Sequence, residues 1–434
     1  MPIMDLFAFA LDTPNQGYHN QMAGAIAALL NKGDISYPVE KCFLKSHDSK
    51  VNDIVCYCKY KNYKEFCRKI FAMIDDWQRN VFKIPRVFIT CYDMTIKADP
   101  YKNADMLCRA VKEYYKKRGL GEIFTVVLTS KLHNYKYVDL INVPKHLLTF
   151  YGRIRLLQNK KLRKKTLITI GTIHQFSYNN IIQKKVELDA LLKKTMQEPL
   201  LKQQQNKLKH FIQKNKKIVI CLGGRVEGNE IIFDLSYAKN ILEKSITLAQ
   251  YGYGVAIING PRTPNDITDL LYEKSLKNVN ILFCNSKRIA ANDKEKNLWY
   301  VYSGKYEREF SQLNIFGNLY PALLGYNNTL AVHSIDSYAC CETISAGIPT
   351  AISSEGIYID KSIRGDCFQL QQLLIPKYAL NFEDFISLAC YMKIEPKNLH
   401  PAILSDLTHV LAEAVQYRMK SYSETSSNKY TLIP

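Results

Sequence analysis

Short apolar runs rich in β-branched residues alternate along most of the chain with stretches whose apolar positions recur every three to four residues. Runs of the first kind predict strands at 4–10, 87–91, 124–128, 138–141 and 167–170. Helical periodicity predicts helices at 21–30, 63–76 and 104–117 between them. After residue 216 the pattern starts again, with strands expected at 217–222, 254–258, 280–283, 329–332 and 349–352. Helices are expected at 237–249, 265–274, 318–324 and 338–346. Strands that are apolar throughout, instead of alternating, belong to sheets covered on both faces, and strand–helix alternation makes such sheets parallel. Two series of this kind predict an α/β protein of two doubly wound, Rossmann-like domains. The expected division is an N-terminal domain at 1–175, a basic helical connector at 176–216 and a C-terminal domain at 217–400. A C-terminal helical segment and tail occupy 401–434, with the helix at 401–419 and a loose polar end from 421. Pro199 interrupts the connector's helical pattern.

Composition agrees with this division. The 434 residues exceed what one hydrophobic core usually serves, and 47% apolar against 23% charged residues is a globular balance. No apolar run approaches the roughly 20 residues that span a bilayer. The opening MPIMDLFAFALD has no basic leader and carries Asp5, so it reads as a buried first strand and the expected location is cytoplasmic. Twelve cysteines include Cys56 with Cys58 and the neighbours Cys340 and Cys341, but no pair of C-x-x-C units. They are expected to be reduced thiols, with no metal site.

Charge changes the picture more. The net charge is +19, and between 151 and 217 there are 17 Lys or Arg against three acids. Such a segment is a solvated helical surface, a docking face for anionic lipid or a nucleic-acid patch. No helix-turn-helix, RNA-binding or zinc-finger signature accompanies it, so nucleic acid is the least favoured of the three. The run Lys160, Lys161, Arg163, Lys164 and Lys165 is the candidate membrane contact, placed between the domains.

Four segments carry candidate chemistry. Gly17, His19, Asn20 and Gln21 follow the first strand, where a doubly wound sheet opens its ligand crevice. His19 is a candidate general base because imidazole titrates near neutral pH; otherwise Asn20 caps the next helix and His19 faces solvent. Gly223 and Gly224 end the first strand of the second series and let backbone approach a phosphate, with Arg225 adding charge. Arg262 and Thr263 lie at another strand end, where Arg262 is suited to a bidentate grip on a diphosphate or to a surface ion pair. Asp336 and Ser337 sit where a strand gives way to a helix, to cap it or to face a phosphate. Glu342, further along that helix, is a candidate acceptor for ribose hydroxyls, and Gly347 with Pro349 turns the chain into the next strand.

In order, the chain carries Gly17, Asn20 and Gln21; Val138 to His146; Gly223 and Gly224; Arg262 to Pro264; Asn318 with Tyr320; and Asp336, Ser337, Glu342, Gly347 and Pro349. That series resembles the mitochondrial-fission "elongated mitochondria" family, over roughly residues 7 to 352. The resemblance implies the two-Rossmann GT-B class of glycosyltransferases, with nucleotide-sugar on the C-terminal domain and acceptor on the N-terminal one. Carried over, Gly223, Gly224 and Arg262 surround the diphosphate, Asp336, Ser337 and Glu342 hold phosphate, ribose or sugar, and Gly17, Asn20, Gln21 and His146 face the acceptor. Three positions depart from the family pattern: Leu147 stands where an acid is expected, Leu319 interrupts an N-P-Y element, and Pro261 replaces an arginine. No D-x-D motif is present, which fits metal-independent transfer with no cofactor beyond the nucleotide-sugar substrate.

The leading expectation is therefore a glycosyltransferase-like protein acting on a cell-envelope or lipid-linked acceptor. A non-catalytic adaptor recruited to a membrane is the alternative from another class. A nucleotide-sugar epimerase is a third; no G-x-G-x-x-G follows the first strand, so a hydride-transfer epimerase is disfavoured.

Overall fold

The structure is a computed structural model. It describes residues 6–11, 16–32, 37–44, 62–81, 83–91, 100–129, 131–174, 176–193, 199–223, 231–260, 263–284, 319–335, 339–354, 357–359, 369–392, 395–399 and 407–427. The chain divides into two compact units, residues 1–175 with 405–434, and residues 176–404.

In the first unit, β1 (Ala8–Leu11), β2 (Phe43–Leu44), β3 (Val87–Cys91), β4 (Phe124–Leu128), β5 (Leu140–Pro144) and β6 (Thr166–Thr169) form one sheet. Its order is β2-β1-β3-β4-β5-β6 and every pairing is parallel. All residues of β1, β4 and β5 are buried, because helices cover both faces. The second unit contains β7 (Lys216–Cys221), β9 (Tyr253–Ile258), β10 (Ile281–Cys284), β11 (Thr329–Ser334), β12 (Thr350–Ser353) and β14 (Leu380–Asn381) in the order β10-β9-β7-β11-β12-β14, again parallel. Two further strands, β8 (Ile231–Phe233) and β13 (Ile357–Ile359), pair antiparallel beside it. Counted along the chain, the first sheet runs 2-1-3-4-5-6 and the second 3-2-1-4-5-6. These are the two common orders of doubly wound folds, so the molecule consists of two Rossmann-like domains.

Several boundaries differ from the sequence expectation. The first long helix is Gln16–Lys32, so Gly17, His19, Asn20 and Gln21 are helical and Asn20 is no cap. Nothing between 16 and 21 is a proline or β-branched residue, and the alanine-rich run behind it propagates the helix backwards. Pro100 opens the helix Pro100–Arg118 and Pro199 opens Pro199–Gln213, the position where a missing N–H costs nothing.

The segment expected as a basic connector forms two helices, Tyr178–Leu192 and Pro199–Gln213, that belong to the second unit. Ile181, Leu188, Leu208 and Phe211 are buried in that unit's core, and Tyr326 Oη donates to Asp189 Oδ1 at 2.6 Å. The run 160–165 is not a linker between domains either. It is a short helix, Lys160–Lys165, inside the first unit, held by buried Leu162 and capped by Asn159, whose side chain accepts from Leu162 N at 3.0 Å. Its lysines differ from one another: Lys160, Lys161, Arg163 and Lys164 are exposed, whereas Lys165 is half-buried, and burial lowers its pKa against the pull of Asp139 and Asp105. The last helix, Leu407–Ser427, extends past the expected tail boundary and packs on Gln16–Lys32 in the first unit. No helix among the described residues is long and apolar enough to cross a membrane.

Candidate functional site

In a parallel sheet all C-terminal strand ends face one edge, and a crevice opens where neighbouring strands send their connections to opposite faces. In the second unit that point lies between β7 and β11. The hydrogen-bond ladder continues past the strand ends, with Leu222 N donating to Ile258 O at 2.8 Å and Ile335 N to Ser353 O at 2.9 Å. Gly223 N then donates to Ser334 Oγ at 2.7 Å, tying the ends of β7 and β11 together. On the β9 side, Gly260 N donates to Thr263 Oγ1 at 2.8 Å, and the same hydroxyl donates to Gly223 O. Thr263 is thus buried and its hydroxyl is committed to two backbone groups; it positions the two glycine turns and has no proton left for a ligand. Gly260 must be glycine for a packing reason, since a Cβ there would lie 2.8 Å from Leu222 O.

Glu342 lies on the short helix Cys340–Ser345, which closes at Gly347 with φ 73°, the left-handed turn expected of Gly-x-Pro. Its carboxyl lies deep enough in protein for burial to raise its pKa well above the ordinary carboxylate range, with nearby Cys341 adding to the rise. Its field in turn helps to raise the pKa values of Cys221, at the end of β7, and of Tyr320, although burial is the main cause for both. By accessible surface Glu342 is half-buried.

Beneath this edge is a polar network. Tyr320 Oη and Thr343 Oγ1 each lie 3.3 Å from His333 Nε2, and Thr350 Oγ1 donates to Thr343 Oγ1 at 2.8 Å. His333 is fully buried, its Nδ1 has no partner among the described residues, and burial lowers its pKa to about 3. Sequence reasoning assigned no role to Ser334 or His333. The signal for Ser334 was its place as the last residue of a strand next to the switch point, which depends on strand order.

In the first unit the crevice lies between β1 and β3. The helix Gln16–Lys32 follows β1, and the His19 ring stacks on Phe43, with centroids 4.4 Å apart and planes 22° from parallel. His146 sits in a 3-10 turn, Lys145–Leu147, after β5, fully buried beside Ile170; burial lowers its pKa to about 4. His146 and the first turn of the helix Gln16–Lys32, with Gly17 to Gln21, share the C-terminal edge but stand three strands apart, about 14 Å at normal strand spacing. The structure does not bring them together. Asp139, in the same sequence motif as His146, is a clamp: it accepts from Thr125 N at 2.8 Å and from Lys112 Nζ at 2.7 Å. Gly224, Arg225, Arg262, Asp336 and Ser337 lie outside the described residues.

No protein-family model matches the chain, and no curated protein matches it. Among solved structures it is similar to UDP-GlcNAc 2-epimerase from Neisseria meningitidis bound to UDP-GlcNAc, at 13% identity and TM-score 0.45, over 96% of this chain and 99% of that one. The enzyme of the same name from Methanocaldococcus jannaschii, in complex with UDP-GlcNAc and UDP, aligns at 12% identity and TM-score 0.39, over 94% of this chain and 99% of that one. MurG from Acinetobacter baumannii aligns at 9% identity and TM-score 0.37, over 94% and 99%. These TM-scores lie below 0.5, and nothing about this chain's ligand follows from them. No finding supports the resemblance to the "elongated mitochondria" family.

Proposed function

We propose that the second domain binds a nucleoside diphosphate sugar at the β7–β11 switch point and that the protein transfers the sugar to an acceptor hydroxyl held by the first domain. The observation that carries this is the 3-2-1-4-5-6 strand order, which opens a ligand crevice at the β7–β11 switch point, with Gly223 and Ser334 fixing its floor. Gly223, Gly224, Arg225 and Arg262 are assigned to the diphosphate, and Asp336, Ser337 and Glu342 to phosphate and ribose or sugar. Gly17, Asn20 and Gln21 are assigned to the acceptor side, whereas His146, buried three strands away, is left out of direct acceptor contact. In the reaction His19 takes the acceptor proton as the oxygen attacks the anomeric carbon. The anomeric carbon–oxygen bond to the diphosphate breaks, its electron pair stays on the leaving diphosphate, and the Arg262 guanidinium stabilises that charge. The cytoplasmic side of a membrane suits a cell-envelope or lipid-linked acceptor.

Titration calorimetry of the purified chain with UDP, GDP and their sugars tests binding directly, and turnover with an acceptor extract tests transfer. Binding with turnover is expected. Interconversion of the nucleotide-sugar without acceptor would make the protein an epimerase, and a folded chain that binds none of these ligands would leave the adaptor role. Arg262→Ala is expected to weaken the diphosphate more than the bare nucleoside; equal losses would remove Arg262 from the phosphate.

The burial of Glu342 sharpens its test. An amide keeps the size and hydrogen-bonding reach of the carboxyl without its charge, so Glu342→Gln separates the two: wild-type affinity in that variant would mean that the ligand does not read the charge. Glu342→Ala should lose on the order of 1–3 kcal/mol of binding with the fold intact. Unchanged affinity of a folded Glu342→Ala protein would take Glu342 out of the site.

A further inference from the structure

We propose that the helix Phe150–Gln158 of the first domain, with the basic helix that follows it, docks the protein on an anionic lipid bilayer. This surface is independent of the nucleotide-sugar assignment. Phe150, Tyr151 and Leu157 are 72%, 76% and 74% exposed, a concentration of large apolar side chains on one nine-residue helix. At about 100° per residue, Phe150, Ile154, Leu157 and Tyr151 fall on one side of that helix, opposite buried Gly152 and Leu156. Arg153 and Arg155, both exposed, border the apolar stripe on its two edges. The helix thus turns its apolar face outward and anchors itself through a glycine and one leucine, the reverse of a helix that serves only its own core.

Charge selects the occupant. Between Asp139 and Glu187 the chain has no acid and ten Lys or Arg. Exposed Lys160, Lys161, Arg163 and Lys164 adjoin the apolar stripe in sequence and supply a cationic collar. A second copy of the same face would bring two such collars together without a countercharge, as a symmetric dimer must. A nucleic acid would meet the cations but leave Ile154 and Leu157 against water or phosphate. An anionic bilayer satisfies both halves: acyl chains and the headgroup boundary take Phe150, Tyr151 and Leu157, and the surface potential attracts the collar.

The test is sedimentation of the full chain with vesicles of equimolar phosphatidylglycerol and phosphatidylcholine, against phosphatidylcholine alone. Binding to the anionic vesicles is expected, at least about tenfold stronger than to the neutral ones and lost near 1 M salt, where the screening length falls to about 3 Å. Since each basic residue near such a surface multiplies partitioning about fivefold, Lys160→Gln, Lys161→Gln, Arg163→Gln and Lys164→Gln together should weaken binding by roughly several hundredfold. Phe150→Ser, Tyr151→Ser and Leu157→Ser together leave the charge unchanged and should still weaken binding about tenfold or more. All seven side chains are exposed, and thermal melts of both variants should match wild type. Equal binding of the serine variant and wild type, or equal binding to the two vesicles, overturns the proposal. It is also overturned if vesicles are not bound and the face instead holds a dimer that the serine variant dissociates, or captures single-stranded RNA.

Discussion

Thr263→Val is expected to destabilise the second domain by about 2–6 kcal/mol. Valine keeps the shape of threonine but has no hydroxyl, so Gly223 O loses its donor and Gly260 N its acceptor. Each of those backbone groups is buried, and an unpaired buried polar group costs about 1–3 kcal/mol, which sets the total. Thr263→Ser keeps the hydroxyl and should lie within about 1 kcal/mol of wild type. Urea unfolding followed by circular dichroism measures both. A Thr263→Val protein as stable as wild type would mean that the two turns find other partners, and the assignment of Thr263 as the clamp of the crevice would fall. If the second domain holds a nucleotide there, the valine variant should also lose affinity beyond what its instability explains, because both glycine turns would be free to move.

The second large effect is acid sensitivity from buried histidines. Burial lowers His146 to about 4 and His333 to about 3, against about 6.5 in an unfolded chain. The unfolded state therefore binds a proton on each as pH falls below about 6.5, while the folded state does not until pH 3–4. Stability from these groups is full above that range and declines as pH drops through it, by about 3 kcal/mol per histidine between pH 7 and pH 4. Glu342 acts in the opposite sense: its raised pKa makes the folded chain hold a proton at higher pH than the unfolded one, so acidification relieves its cost. Unfolding free energies at pH 7, 6, 5 and 4 should fall, and His333→Gln and His146→Gln should each flatten the slope whatever their stability at pH 7. A slope unchanged in both variants would show that neither imidazole is held neutral.

Glu342 and Thr263 illustrate how far the sequence could go. Both were singled out by their place after a strand, which local pattern supplies. The pattern is silent on what surrounds a side chain, so Glu342 was expected as an acceptor for ribose hydroxyls and Thr263 beside Arg262 at the nucleotide-sugar edge. Packing buried the first carboxyl near Cys221 and Tyr320 and spent the second hydroxyl on Gly223 and Gly260. Ser334, two residues before Asp336, was given no role, because its partner Gly223 is 111 residues away.

By itself, the sequence determined two parallel α/β domains and the core of ten of the fourteen described strands, missing the short β2, β8, β13 and β14, because a strand buried on both faces is written in consecutive residues such as 253–258 and 329–334. It also placed the concentration of positive charge, which is additive along the chain. The tertiary structure alone decided the strand orders, and with them which turns meet at a switch point, since order depends on crossovers that no local period records. It decided that 176–213 packs as core helices and that the last helix returns to the first domain, because an amphipathic face does not name the surface that covers it. It also turned Phe150, Tyr151 and Leu157 outward. A helix is anchored by whichever side its neighbours leave room for, and here Gly152 and Leu156 occupied that side.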